Sequence, residues 1–276
     1  MSIIAKKAYA KLNLALSVLS KRADGYHEMD MINCAVSLYD DISVERIDGG
    51  LFLDTDMQNS DTERDLTVKA AKAFFAATEI KGGAKITVKK NIPVLAGLGG
   101  GSADAAAVLS ALNELYGNLL DNQKLNSVAV SVGADVPFCI MGHTARVRGI
   151  GDIISPLPDF PECTILLVRD GNKLSTSQMF EQLENTNVKP YDITAAVQAV
   201  KCGDIEAFCA AAYNSFDVLY DNSATKQILL DGGAKLALTT GSGPVLYGLF
   251  LNEKCAADCY NTLNAKGKEC WLCSLE

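Results

Sequence analysis

The chain has 276 residues, enough for one large domain or two modest ones, and its 49% apolar and 21% charged residues exclude a disordered, collagen-like or coiled-coil protein. No apolar run reaches the roughly 18 residues of a membrane helix, and Lys11 and Asn13 interrupt the stretch that could pass for a secretory leader, so a cytoplasmic protein without a membrane partner is expected. Twenty-five basic against 33 acidic residues give a net charge of −8, which repels polyanions and sets nucleic acid aside as a partner. The excess is uneven. Residues 1–100 carry 13 side chains of each sign and residues 101–276 carry 12 basic and 20 acidic, so cations for an anionic small molecule come from the early part.

In chain order, Ala8 to Leu19 alternates as a strand, and Met29 to Leu38, Ile42 to Ile47 and Leu51 to Asp54 add short strands that suggest an antiparallel meander. Leu66 to Ala77 has helical spacing, and Ile86 and Val88 alternate with lysines as one more strand. A glycine-rich loop at Gly97 to Gly101 opens a helix with the apolar stripe Ala105, Val108, Leu109, Leu112 and Leu115, and Ser102 is its expected N-cap. A helix at Asn122 to Val130 leads into strand-like Val136 to Met141 and Arg146 to Ile154. Pro156, Pro158 and Pro161 mark the strongest linker, which puts domains at 1–158 and 159–276.

Beyond it come a strand (Thr164 to Val168) and helices near Thr176 to Leu183, Ile193 to Val200, Ile205 to Leu219 and Ala224 to Leu230. Strands at Lys235 to Thr239 and Val245 to Leu251, a helix at Glu253 to Leu263 and a strand at Glu269 to Leu275 follow. With the helices taken as one block the order is β-α-β-β-α-β, that of ferredoxin-like domains, and the fold class is α+β. Nine cysteines do not read as a disulfide framework, because the number is odd and cytosolic thiols are kept reduced. Cys255 and Cys259 with Cys270 and Cys273 have a loosely zinc-like spacing, but they fall on helical and strand patterns without glycine knuckles, which favours buried apolar roles.

The segment Pro93, Val94, Leu95, Ala96, Gly97, Leu98, Gly99, Gly100, Gly101, Ser102, Ala103 carries the chemistry. Its glycines let the backbone turn amides inward and the following helix offers free N–H groups and a positive dipole end, an arrangement suited to a polyphosphate. It is no Walker loop, since no lysine lies between Lys90 and Lys124, and it is no dinucleotide fingerprint, since Ser102 stands where a third glycine is required. The phosphate charge is therefore to be met by amides, the helix end, Mg²⁺ and a distant lysine. Lys11, in mid-strand, is the candidate, with an outward solvated charge as its alternative. Asp135, in Gly133-Ala134-Asp135-Val136-Pro137, is a site carboxylate or the acid of a solvated turn.

Ala10-Lys11-Leu12-Asn13-Leu14, Arg22-Ala23-Asp24-Gly25-Tyr26-His27-Glu28, the loop Pro93 to Ala103, Gly133 to Pro137 and Thr240-Gly241-Ser242-Gly243 together resemble the GHMP kinase superfamily along nearly the whole chain. Asp-Gly-Tyr-His with Gly-Ala-Asp-Val-Pro is similar, within it, to the kinases of the cytidine diphosphate ester of methylerythritol. The resemblance implies a ribosomal-protein-S5-like N-terminal domain, a ferredoxin-like C-terminal domain, and ATP-dependent phosphorylation of the methylerythritol hydroxyl in non-mevalonate isoprenoid synthesis, by a monomer or homodimer.

It also implies Lys11 and Asp135 as the catalytic pair, Pro93 to Ala103 as the ATP phosphate loop, and Asn13, Tyr26, His27, Thr176 and Phe180 as substrate residues. Tyr26 and Phe180 would sandwich the cytosine and His27 would bond its edge, each aromatic having ordinary core packing as its alternative. Asp135 is expected chiefly to orient the hydroxyl and accept its proton late. Two departures bear on ATP: Ala103 replaces a serine common in the family, and Asp65, near the adenine, replaces an asparagine. No direct Mg²⁺ ligand is assigned, although Ser102 and Asp104 stand nearby. The rival readings are another GHMP small-molecule kinase, a silent nucleotide-binding relative and a dinucleotide oxidoreductase. The last lacks its fingerprint.

Overall fold

The computed structural model describes residues 2–56, 65–172, 175–186 and 188–276. The chain divides into two compact units, the first made of Met1–Lys11, Leu38–Val94 and Gly99–Gly142, the second of Leu12–Ser37, Leu95–Leu98 and His143–Glu276. Two long strands, β1 (Ile3–Lys21) and β2 (His27–Ile47), contribute residues to both. The two strands expected within residues 29–47 are thus one, because Asp40, the apparent break, is buried with its carboxylate satisfied by hydrogen bonds.

In the first unit, β3 (Gly50–Thr55), α1 (Leu66–Thr78) and β4 (Gly83–Lys89) form a crossover in which β3 pairs β4 in parallel, Leu53 opposite Ile86. β4 pairs the C-terminal part of β2 antiparallel, Val44 opposite Ile86. The expected meander is therefore corrected: β4 stands between β2 and β3. The cause is burial, since β4 hides Ala84, Ile86 and Val88 and takes an interior position, whereas Phe52 of β3 is exposed and suits an edge.

Helices α2 (Gly100–Leu115), α3 (Asn122–Val132) and α4 (Val136–Met141) complete the unit. α2 is buried almost all round through Ala103, Ala105, Ala106, Ala107, Val108, Leu109, Ala111 and Leu112, and its alanines allow the close approach of neighbours. α4 corrects the strand expected there. A short apolar run fits either element, but Pro137 has no N–H for a strand ladder and suits a first helical turn, and Gly142 in the left-handed region ends it.

In the second unit, Met29–Asn33 of β2 pairs β5 (Ala145–Gly149), which turns back into β6 (Ile153–Pro156) rather than continuing as one strand. The prolines on which the sequence boundary at residue 158 rests fall inside this unit, because β5 and β6 are tied to its share of β2. Next come β7 (Thr164–Arg169), α5 (Thr176–Asn185), α6 (Thr194–Cys202), α7 (Ile205–Ala211), a 3₁₀ turn (Ser215–Leu219) and α8 (Ser223–Asp231). The expected helix over 205–219 is split by Asn214, whose Nδ2 donates to Thr239 O (2.6 Å) and Gly241 O (3.0 Å) while its Oδ1 accepts from Phe216 N.

β8 (Leu236–Thr239), β9 (Val245–Phe250), α9 (Glu253–Ala265) and β10 (Cys270–Ser274) close an antiparallel sheet of order β10-β7-β9-β8, the ferredoxin-like arrangement read from the sequence. Every residue of β9 is buried, so both faces are covered. Leu246 and Phe250 pack with Leu229 of α8 and Leu263 of α9, while Tyr247, on the opposite face, donates its hydroxyl to Leu14 O (2.6 Å). Cys259 is buried in the α8 and α9 core. Cys270 and Cys273, three apart on β10, point to opposite faces, Cys270 toward that core and Cys273 into the other side, which is poor geometry for one metal ion.

Candidate active site

Within the first unit, the glycine-rich loop delivers the chain to α2 through Gly99, whose φ of 67° lies in the left-handed region. The first helical bond runs from Ala103 N to Gly99 O (2.9 Å), so the amides of Gly100, Gly101 and Ser102 have no partner within the helix. This corrects Ser102 as N-cap. Gly99 holds that position without a side-chain cap, and Ser102 lies inside the first turn, its hydroxyl not consumed by capping. The result is a helix end with open amides and a positive dipole, suited to phosphate.

Lys11 reaches this end from β1. Its side chain is 8% exposed, and a Cβ built on Gly99 would stand 2.6 Å from Lys11 Cγ, so the lysine stem lies on the loop backbone. Its Nζ is 3.0 Å from Asp135 Oδ1. Asp135 precedes α4 but caps none of its amides, and its carboxylate is 32% exposed. Open amides, a desolvated ammonium and an accessible carboxylate thus belong to one unit. Cys139 of α4 lies near this pair, and burial pushes its thiol up.

Asp104 is held by a buried ion pair. Its Oδ2 accepts from Lys90 Nζ (2.6 Å), Lys90 also bonds Asp40 Oδ2, and the Asp104 side chain is 6% exposed. Burial pushes its carboxyl up to about 7, with repulsion from Asp40 adding to the rise and Lys90 opposing it. Asp65 is the N-cap of α1, its Oδ1 accepting from Thr67 N (2.8 Å) and Thr67 Oγ1 (2.5 Å). The loop preceding α2 is divided between the units. Pro93 and Val94 belong to the first and Leu95–Leu98 to the second. Val94 and Leu95 are exposed, whereas Ala96 and Leu98 are buried.

Within the second unit, Gly97 lies against the late glycine turn, for a Cβ on it would come 3.0 Å from Gly243 O and 3.3 Å from Thr240 O. Thr240 Oγ1 accepts from Asn13 N (2.9 Å), and Asn13 Nδ2 donates to Asn33 Oδ1 (2.6 Å). Asn33 Nδ2 is buried without a hydrogen-bond partner among the described residues. Asn13 is itself buried, so its side chain is engaged by neighbours.

Tyr26 is 60% exposed in the turn between β1 and β2. His27 stacks on Phe180, ring centroids 4.4 Å apart and planes 14° from parallel, and its Nε2 is 2.9 Å from Glu184 Oε1. Phe180 meets Phe216 edge-on at 5.0 Å. Thr176 is exposed in the first turn of α5. Tyr26, His27, Phe180 and Thr176 therefore share a unit, but it is His27 that lies on the face of Phe180. Sequence reasoning passed over Asn33, Glu184, Asp40 and Lys90, which have no local motif; Thr240 stood in a quoted glycine motif.

The GHMP kinases N terminal domain model matches residues 65–143, from the N-cap of α1 to the end of α4. The chain is 38% identical over 267 residues, 94% of its length and 91% of the relative's, to the 4-diphosphocytidyl-2-C-methyl-D-erythritol kinase of Caldicellulosiruptor bescii. It is 36% identical over 277 residues to that of Clostridium botulinum strain Loch Maree, covering 96% of this chain and 98% of the relative. A crystal structure of 4-(cytidine 5'-diphospho)-2C-methyl-D-erythritol kinase superposes with a TM-score of 0.83 at 31% identity over 99% of both chains. The mevalonate kinase of Methanococcus jannaschii, at 13% identity and a TM-score of 0.73, shares the fold. With uncapped helix amides beside a buried lysine, and relatives this similar over nearly full length, the chain belongs to the 4-diphosphocytidyl-2-C-methyl-D-erythritol kinase family of GHMP kinases.

Proposed function

We propose that the protein transfers the terminal phosphoryl group of ATP to the methylerythritol hydroxyl of 4-diphosphocytidyl-2-C-methyl-D-erythritol, a reaction of isoprenoid biosynthesis in the cytoplasm. The observation that carries the reading is the Lys11–Asp135 pair beside the uncapped end of α2. Phosphoryl transfer has a loose transition state, so the protein positions the reactants and stabilises spreading negative charge. The amides of Gly100, Gly101 and Ser102 hold the phosphates, and the ammonium of Lys11, little screened because it is buried, follows the charge as it moves. Asp135 orients the acceptor hydroxyl and takes its proton as the new P–O bond forms and the bond to the leaving ADP breaks.

Among the described residues no three His, Cys, Asp or Glu side chains gather as a metal site. The hydroxyl of Ser102, in the first turn of α2, fits a Mg²⁺ carried on the nucleotide and would be the side-chain group to meet it. When bound, the ion neutralises phosphate charge. Tyr26, His27, Thr176 and Phe180 recognise the ester, Tyr26 and the Phe180–His27 stack offering flat faces and a polar edge for cytosine, while the buried Asn13 is held against Asn33.

The test is ADP release with the cytidine ester, mevalonate, homoserine and galactose offered separately. Release should require Mg²⁺ and be confined to the ester; comparable turnover of any of the others would refute the substrate assignment. Tyr26→Ala removes a remote stack felt equally in ground and transition states. It should raise KM for the ester by roughly 5- to 150-fold with kcat nearly unchanged, as steady-state kinetics will show.

A further inference from the structure

We propose that Asp40, Lys90 and Asp104 form a buried clamp that fixes the first turn of α2 and so aims the amides that receive the nucleotide phosphates; the proposal rests on the kinase reading above. Its three members come from β2, from the residue after β4 and from α2, so they join three separate segments around the entry to the helix. Asp40 Oδ1 accepts from the backbone amides of Asn91 (2.5 Å) and Ile92 (2.7 Å), pinning the chain just before the phosphate loop. Asp40 Oδ2 takes Lys90 Nζ, and the same ammonium donates to Asp104 Oδ2 at 2.6 Å. Asp104 lies one turn along α2 from Gly100, on the same face. A Cβ built on Gly100 would stand 3.4 Å from Lys90 Nζ and 3.1 Å from Ile92 Cγ2, so the start of the helix sits directly on the clamp.

Stability alone gives no reason for this arrangement. Two carboxylates share one ammonium in an interior where Asp40 is 0% and Asp104 4% exposed, and Asp104 Oδ1 is buried with no hydrogen-bond partner among the described residues. Apolar packing of equal volume would hold the same elements together without leaving an oxygen unsatisfied. What the ionic version provides and apolar packing does not is direction. Bonds of fixed length from one ammonium to two segments determine where Gly100, Gly101 and Ser102 stand relative to β2. Positioning is valuable here, because displacing by an ångström a group that orients a reactant costs up to about 10²-fold. Lys90 and Asp104 are thus positioning residues that act through the loop, and neither touches substrate.

The experiment measures binding of Mg·ADP and, separately, of the cytidine ester to the full chain by titration calorimetry, well below each variant's melting temperature. Asp104→Ala removes one anchor. Lys90→Arg keeps the charge but puts a larger head under Gly100. Each should raise Kd for Mg·ADP about tenfold or more and leave ester affinity within about twofold, while Asp104→Asn, which keeps an acceptor for Lys90, should restore Mg·ADP binding to within about threefold. Unchanged Mg·ADP affinity in Asp104→Ala and Lys90→Arg, or equal losses for both ligands, would overturn the clamp and leave it a purely structural cluster. Should Asp104→Ala fail to fold, Lys90→Arg, which preserves the charge count, decides the matter alone. Wild-type protein that binds no Mg·ADP would refute the kinase reading itself.

Discussion

Asp135→Asn should lower kcat by about 10² or more while KM for ATP and for the ester stays within a few-fold. Asparagine keeps the shape of the side chain and leaves an oxygen for Lys11 Nζ, now 3.0 Å from the carboxylate, so the ammonium retains an acceptor. What is lost is the negative charge that orients the hydroxyl and the only good acceptor for its proton in the pair. Both matter more in the transition state than in the ground state, and a loss confined to the transition state appears in kcat. Steady-state kinetics decides. If Asp135→Asn changed KM alone while Tyr26→Ala abolished kcat, the reacting and recognition ends of the substrate would have been assigned the wrong way round.

The three consecutive glycines should respond unequally to alanine. At Gly99 the backbone has φ 67° and a Cβ would stand 2.6 Å from Lys11 Cγ, so Gly99→Ala strains the turn and pushes the lysine stem aside at once. A fall in kcat/KM of about 10² or more is expected from misplacing both the open amides and the ammonium. At Gly101 the backbone is helical and a Cβ would meet only Leu66 Cδ1 at 3.5 Å, an ordinary contact. Gly101→Ala should leave kcat/KM within a few-fold and, by relieving glycine's entropic cost in a helix, raise stability by up to about 1 kcal/mol. Comparing kcat/KM and melting temperature for the two variants checks both outcomes, and equal damage would mean that the glycines serve flexibility rather than the two contacts named here.

The sequence was most legible where chemistry or periodicity is local. The apolar run of Val245 to Leu251 and the helical pattern of α9 gave the second unit its strand and helix order, and the glycine loop pointed to a phosphate site without any partner being visible. It was least legible where tertiary burial decides between local options. Val136 to Met141 satisfies a strand pattern and a helix equally until Pro137 is placed, and residues 50–55 read locally as a hairpin partner of β2, whereas the more deeply buried β4 stands between them. Ser102 had the composition of a cap but not the position, since a glycine in the left-handed region started the helix three residues earlier. The Asp40–Lys90–Asp104 cluster was invisible for another reason. Its members stand 14 and 50 residues apart in pairs bridged by Lys90, and each reads alone as a surface charge.

The placement of the thiols makes the protein a reporter on its own unfolding. Cys202, at the end of α6, is exposed, whereas Cys34, Cys163, Cys259 and Cys273 are buried and Cys139, Cys209, Cys255 and Cys270 are half-covered. Burial pushes Cys209 and Cys270 up to about 11 and Cys163 up to about 12, which starves them of the reactive thiolate. A disulfide reagent should therefore modify Cys202 in a fast phase, and the buried thiols only as fast as the chain opens around them. Because the buried set includes Cys34 on β2, Cys163 beside β7 and Cys259 on α9, mass spectrometry of the slow phase would read the order in which separate layers of the second unit come apart, with no residue replaced and no dye attached.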